Sequence, residues 1–459
     1  MIRMRLSQAA QSIDATLSGD DVEFRGVSTD TRNLQADNLF VALLGPHFDA
    51  HEFLAQAQAQ GAVAAMLNNT APPTLLPTLR VADTRTSLAR LAASWRQQFT
   101  LPVIAVTGSN GKTTVKEMLA AIFNQVGPTL VTQGNLNNDI GLPLTLLRLD
   151  ATHRFAVIEM GANHPGDIAY LTDITQPTVA LINNAGPAHL EGFINVEGVA
   201  RGKGEIFMGL DAQGTAIINA DDVFSGLWHE LIGTHRYLSF GLENSADVSA
   251  QWKLQDSGTH VQIRTPAGGI NINLALPGRH NVMNALAASA AALAAGAALA
   301  DIKRGLEAVQ PVKGRLQIKP GLHNSRIIDD TYNANPGSLK AALEVLADEP
   351  ASKWLVLGDM AELGDNTRTM HEVAGEQARA LNIDRLFAVG ELSRFAVQSF
   401  APAGTNARHF ATQCELIVAL QDALAATLPD KVSVLVKGSR SAGMEYVVAA
   451  LAPPPAGTD

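Results

Sequence analysis

The run Thr107-Gly108-Ser109-Asn110-Gly111-Lys112-Thr113-Thr114 brings a lysine, hydroxyl side chains and two glycines into one turn. Such a turn binds an anion. Successive backbone N–H groups backed by a helix N-terminus form a cradle for phosphate oxygens, Lys112 adds a mobile cation, and the Thr113 hydroxyl can ligate Mg²⁺. The flanks fit: residues 102–106 are apolar and strand-like, and residues 115–123 suit a helix. The spacing departs from G-x-x-x-x-G-K-[ST] at its first glycine, where Val106 stands, and matches the shorter form T-G-x-x-G-K-T. The pattern predicts binding of a nucleoside triphosphate; the plainer alternative is a surface turn that contains Gly-Lys-Thr.

Other candidates follow strands. Glu159 closes the apolar stretch 155–158, where a carboxylate can hold Mg²⁺ directly or through water, or can cap a loop. His189 follows the stretch 179–182 and is open to a ligand role or a structural one. Lys203, in Gly202-Lys203-Gly204-Glu205-Ile206-Phe207, offers donors and no acceptor, so as an ammonium it can bind phosphate but never a cation. Its plainer alternative is a solvated lysine near a helix start. Arg315 could clamp phosphates from a separate unit that closes over them. Asp330, in Asp329-Asp330-Thr331-Tyr332-Asn333-Ala334-Asn335-Pro336, could accept from ribose hydroxyls. Lys437-Gly438-Ser439-Arg440-Ser441 supplies cations and a helix N-terminus that suit carboxylate or phosphate. A turn at Asn335-Pro336 and a cap at Ser439 or Ser441 are the alternatives there.

These residues need strands that end together. At 459 residues the length predicts about three domains. Residues 1–82 read as a small α/β unit, with strands over 21–27 and 38–44, a helix over 51–59 and a linker over 72–84. From 101 onward, βα alternation with strands at 103–106, 155–158 and 179–182 predicts a mostly parallel sheet that binds ligands at its carboxyl ends. Residues 250–276 alternate apolar and polar residues, which suggests an antiparallel addition. The uncharged run 285–300 is short for a membrane span and mostly alanine, which predicts a close-packed helix. A second doubly wound unit begins near Gly314, with strands at 327–328, 354–357, 386–389 and 432–436 and helices over 339–346, 370–380 and 411–426. The net charge of −10 argues against a broad nucleic-acid footprint, so a polyanion must be held locally. The single cysteine, Cys414, excludes an intramolecular disulfide and suits a reducing cytoplasm. Met1-Ile2-Arg3-Met4-Arg5 shows no cleavable-leader pattern, and the proline-rich tail 453–457 is expected to fray.

Further motifs stand in order: Ser28-Thr29-Asp30-Thr31-Arg32, Phe48-Asp49-Ala50-His51, Gly134-Asn135-Leu136-Asn137-Asn138-Asp139-Ile140-Gly141, His189-Leu190-Glu191-Gly192-Phe193 and Gly358-Asp359-Met360-Ala361-Glu362-Leu363-Gly364. With the segments above, they resemble the Mur ligases, ATP-dependent enzymes that add amino acids to the peptidoglycan precursor, over essentially the whole chain. The member that adds diaminopimelate or lysine usually carries Asp-Gly-His where this chain has Asp49-Ala50-His51, and a late Asp-Asn-Pro-Arg that Asp365-Asn366-Thr367-Arg368 does not match. The resemblance is closer to the last addition, that of D-alanyl-D-alanine to UDP-N-acetylmuramoyl-tripeptide through an acyl phosphate.

The resemblance implies a UDP-substrate domain over 1–82, a central ATPase over 83–313 and a Rossmann-like domain over 314–459. It implies catalytic roles for Lys112, Glu159, His189, Lys203 and Arg315. The nucleotide would be held by Thr107 through Thr114, Asn281, Asn284, Arg315 and Asp330, and the other substrate by Ser28, Asp30, Arg32, Asn135, Asn137, Asn138 and Asp139. Two Mg²⁺ ions are implied, one on Thr113 and Glu159, the other on His189 and a Lys203 carbamylated by CO₂, which turns that lysine into an anionic oxygen ligand. The expected partners are the two small-molecule substrates, with no nucleic acid and no membrane span, for a cytoplasmic monomer. Two rivals remain: a folylpolyglutamate synthase, whose folate would leave the 28–51 segment without a nucleotide to hold, and an ATP-sensing switch. Against a guanine switch, the chain lacks Asn-Lys-x-Asp.

Overall fold

Short apolar strands alternating with helices build three large sheets, besides two two-stranded ones, in a computed structural model that describes residues 1–255, 258–401, 404, 406–427 and 431–452. The tail expectation for 453–457 lies outside the described residues. The first sheet has the order Thr16–Ser18, Thr78–Val81, Ala64–Asn68, Leu39–Val41, Val27–Ser28 and is parallel except at its first pair. The expected linker over 72–84 is therefore corrected: Thr78–Val81 is a strand of this sheet, and the helix Thr84–Arg96 starts at the end of that segment, capped by Asp83. Prolines at 72, 73 and 77 mark only the turn before the strand. The strand expected over 21–27 divides into Glu23–Arg25 and Val27–Ser28, which pair with different partners.

The central sheet runs Thr129–Val131, Phe155–Glu159, Val103–Thr107, Val179–Ile182, Thr215–Asn219, Arg236–Gly241, Val248–Gln255, Gly258–Thr265, Gly268–Leu274. It is parallel up to Val248–Gln255, and the last strands form the expected antiparallel meander. One face shares a core with the first unit, where Ile2, Leu6, Phe24 and Leu39 join Leu88, Val103 and Ile158. The other face is covered by the alanine-rich helix Arg279–Ala294, whose small side chains let it lie close to both the sheet and the helix Lys112–Phe123. That apolar run is not one helix to residue 300. It breaks after Ala294, and Leu299–Ala308 follows as a separate helix. Gly305 of this second helix faces the backbone of Ile122 so closely that a Cβ would collide with it.

The third sheet has the order Gln317–Pro320, Arg326–Asp330, Val432–Lys437, Ser352–Gly358, Arg385–Val389, Ala407–Phe410, parallel except for its first strand. Helices cover both faces, over two cores centred on Leu355 and Leu435 and on Trp354 and Val434. This is the doubly wound unit expected from 314 onward. Among the described residues no helix is long and apolar enough to cross a membrane.

Candidate active site

Strand order puts the chemistry in one place. Val103–Thr107 lies between Phe155–Glu159 and Val179–Ile182, with Val106 level with Glu159 and Thr107 level with Ile182. The loop after the first strand, the carboxylate ending the second and the segment after the third therefore emerge side by side at the carboxyl edge. Gly111 turns the loop into the helix Lys112–Phe123 at φ +79°, a conformation that suits glycine. Its missing side chain matters as well: a Cβ there would strike the side chains of Asn284 and Asn183. The N–H groups of the helix's first turn have no intrahelical partner and face the site as an anion cradle.

Asparagines hold the loop. The Asn110 N–H donates to Asn184 Oδ1 at 2.8 Å, and Asn183 Nδ2 donates to the Asn110 carbonyl and to Asn284 Oδ1, each at 2.9 Å. Asn284 Nδ2 in turn reaches Asn281 Oδ1 at 3.3 Å. The family resemblance implied Asn281 and Asn284 at the nucleotide, whereas Asn183 and Asn184 were passed over. Their signal was their position directly after a buried strand. Thr107, expected at the nucleotide, is buried and donates its hydroxyl to the Met160 carbonyl, which ties the loop's base to the neighbouring strand end.

Two cavities meet at the loop. One, of about 400 Å³, is lined by Asn110, Gly111, Asn281, Asn284, Arg315 and Asp330. The other, of about 960 Å³, is lined by Lys112, Thr113, Asn135, Glu159, His189 and Arg315 among others. Asn137, Asn138 and Asp139 face the second cavity too, and Asp139 is ion-paired with Arg85 on its wall. Ser28, Asp30 and Arg32 line neither. They form a local cluster in the first unit, in which Arg32 holds the Asp30 carboxylate at 2.7 Å.

The electrostatics suit a polyanion and a cation together. Lys112 donates to the Gly108 carbonyl, and burial together with the nearby Arg315 pushes its pKa down. Lys203 is buried; desolvation and then the charge of Lys112 drive its pKa well below the ordinary lysine value. Burial also lowers His189, with Lys112 adding to the effect. Glu159 is buried, and Asn137 Nδ2 donates to its Oε1 at 2.8 Å while Oε2 has no partner. An orphaned buried carboxylate oxygen is costly unless a cation meets it, so this donor set fits Mg²⁺. Nδ1 of His189 is likewise without an aligned hydrogen bond, although the Glu362 carboxylate lies 2.6 Å away. The distance marks a close approach of carboxylate and ring, and the missing hydrogen bond marks its poor alignment with the ring N–H.

The third unit closes the site. Arg315 Nη2 donates to Thr113 Oγ1 at 3.3 Å with its guanidinium stacked 4.1 Å above the Tyr332 ring, and Asn335 Nδ2 donates to Asn110 Oδ1 at 2.9 Å. Lys437 is no free cation, which corrects its own part in the expected anion-binding segment, while Arg440 of that segment lines the larger cavity. Lys437 is buried level with Asp330 on the adjacent strand, ion-paired to that carboxylate, and it donates to the Asn333 carbonyl at 2.9 Å. Asp330 also accepts from the Leu316 N–H, so both its oxygens are engaged in this state. Ser439 precedes the 3₁₀ turn Arg440–Ala442 without a side-chain cap.

Comparison with known proteins agrees with this arrangement. Residues 106–292 match the model of the Mur ligase middle domain, and residues 314–440 that of the Mur ligase, glutamate ligase domain. The UDP-N-acetylmuramoyl-tripeptide--D-alanyl-D-alanine ligase of Escherichia coli (strain K12) is 46% identical over 98% of this chain and 99% of its own. The crystal structure of MurF from Acinetobacter baumannii superposes with a TM-score of 0.93 at 40% identity, covering 98% of each chain. MurF ligase from Thermotoga maritima, solved in complex with ADP, gives a TM-score of 0.82 at 27% identity over 93% of this chain and 96% of that one. The chain belongs to the Mur ligase family, alongside its UDP-N-acetylmuramoyl-tripeptide--D-alanyl-D-alanine ligases.

Proposed function

We propose that the protein joins D-alanyl-D-alanine to the terminal carboxylate of UDP-N-acetylmuramoyl-tripeptide, with ATP converted to ADP and phosphate. The observation that carries this reading is the meeting of two cavities across one phosphate loop, between Lys112 and Arg315. A nucleotide in the smaller cavity, with its base towards Asn281 and Asn284, directs its terminal phosphate past Gly111 and Lys112 into the larger one. There a substrate carboxylate waits. A free carboxylate resists an amine because its charge repels the nucleophile and oxide is a poor leaving group. Its oxygen therefore attacks the γ-phosphorus, the bond to ADP breaks, and an acyl phosphate forms. The amine of the dipeptide then attacks the carbonyl carbon, and phosphate leaves with the original carboxylate oxygen.

Lys112, Arg315 and the N–H groups of the loop meet the charge that spreads over the transferring phosphoryl oxygens. Thr113 and Glu159 would hold one Mg²⁺, and His189 with carbamylated Lys203 a second. When bound, these ions neutralise phosphate charge and orient the reacting oxygens. Lys203 suits the modification: a neutral, buried amine adds to CO₂, losing a proton, and becomes an oxygen donor. The unit over 1–82 would hold the uridine diphosphate end through Ser28, Asp30 and Arg32, with 83–313 as the ATPase and 314–459 as the closing domain. Asn135, Asn138 and Asp139 would line the peptide's path. The enzyme would act as a cytoplasmic monomer.

The acyl phosphate is tested by labelling the tripeptide carboxylate with ¹⁸O. Transfer of one label into the released phosphate, only when ATP and dipeptide are both present, is the expected result. Unlabelled phosphate would exclude the acyl phosphate route.

A further inference from the structure

Glu362 lies on the loop between the strand Ser352–Gly358 and the helix Thr367–Ala380, in the third unit, yet its carboxylate comes within 2.6 Å of His189 in the central unit. Both residues adopt left-handed backbone conformations, φ +61° for Glu362 and +55° for His189, which non-glycine residues adopt at a cost. The loop is fixed on either side. Met360 and Leu363 are buried, the Met360 N–H donates to His371 Nε2 at 3.0 Å, and Asp359 accepts from Ser393 N–H at 2.7 Å. A strained residue on a held loop thus delivers a carboxylate to the Nδ1 side of a histidine, at the wall of the larger cavity.

Metal-ligating histidines generally give their second ring N–H to a carboxylate or carbonyl, which fixes the tautomer and ring orientation. We infer that Glu362 is a positioning residue for His189: it holds the Nδ1 side of the imidazole so that Nε2 is presented to the second Mg²⁺, and it does so only when the third unit is docked. The inference rests on the proposed assignment of that ion to His189 and Lys203. It makes completion of the second cation site a consequence of domain docking. The imperfect alignment of Nδ1 is then the resting state of a ring that turns into line when a cation takes Nε2.

The test counts Mn²⁺ by electron paramagnetic resonance in the complex with a non-hydrolysable ATP analogue, in bicarbonate buffer, for wild type, Glu362→Ala, Glu362→Gln and His189→Ala. The expected result is a second ion bound at least about tenfold more weakly by Glu362→Ala, with the first ion and the thermal midpoint unchanged. Glu362→Gln should stay within a few-fold of wild type, because its amide oxygen still accepts from Nδ1–H. Equal losses in the two Glu362 variants, or weakening of both ions together, would overturn the positioning role. So would wild-type binding by Glu362→Ala while His189→Ala loses the second ion, a result that leaves the metal assignment standing. A single ion in the wild type would instead remove that assignment and this inference with it.

Discussion

Single side chains here are placed against their own stability. A lysine in water loses little by being charged, but Lys203 is buried and its pKa is driven well down by desolvation and by Lys112. Because its pKa is lower in the folded chain than in the unfolded one, the charged lysine opposes folding at low pH, and that penalty is relieved as pH rises through the window that ends at the ordinary lysine value. Lys203→Met should therefore abolish turnover and yet raise the thermal midpoint in CO₂-depleted buffer, with the difference shrinking as pH approaches about 10. A lower midpoint at neutral pH would show that the amine is stabilising and contradict the account. Lys112→Ala should lower kcat by about 10²–10³-fold without altering the circular dichroism spectrum, since its loss removes a cation aimed at charge that develops in transfer. Normal turnover would exclude that role.

At the level of elements, three strand ends and a glycine turn make the site, and this much was legible in the sequence. Val106, Glu159 and the segment after Ile182 could be placed together because each follows a short apolar stretch, and such strands pair in parallel within βα units. Gly111→Ala tests the turn. The added methyl meets Asn284 and Asn183 and stands at φ +79°, so the variant should lose about 1–3 kcal/mol of stability and bind ATP more weakly. Denaturant unfolding with and without nucleotide measures both, and unchanged values would mean the asparagine relay does not depend on this close approach. Other features were not legible. Lys437 read as a cation for an anionic ligand, since nothing local announces that the strand Arg326–Asp330 will set Asp330 beside it. The strand Thr78–Val81 was hidden by the prolines before it, and its parallel partner Ala64–Asn68 lies across a turn of ambiguous composition. Glu362 was quoted within a motif, but only the docked third unit brings it to His189.

For the whole molecule, the third unit docks onto the phosphate loop through Arg315 and Asn335, and the proposed catalysis requires that contact. Asn335 carries two duties: its Oδ1 caps the helix Pro336–Ala347 through the Ser338 N–H, and its Nδ2 donates to Asn110. Asn335→Asp keeps the cap and removes the donor, so it isolates docking. Loss of about 1 kcal/mol across that contact should raise KM for ATP about fivefold and expand the molecule in X-ray scattering with nucleotide bound. Identical scattering and KM would show that Asn335 does not hold the closed form. The same closed architecture underlies the central claim, that two cavities joined at one loop serve one ligation. That claim is tested most directly by phosphate release with UDP-N-acetylmuramoyl-tripeptide and ATP, comparing D-alanyl-D-alanine with single amino acids and with a folate plus glutamate. Release with the dipeptide alone, together with a UDP-linked pentapeptide in the mass spectrum, is the predicted result; release with folate and glutamate, or release that needs no amine at all, would contradict it.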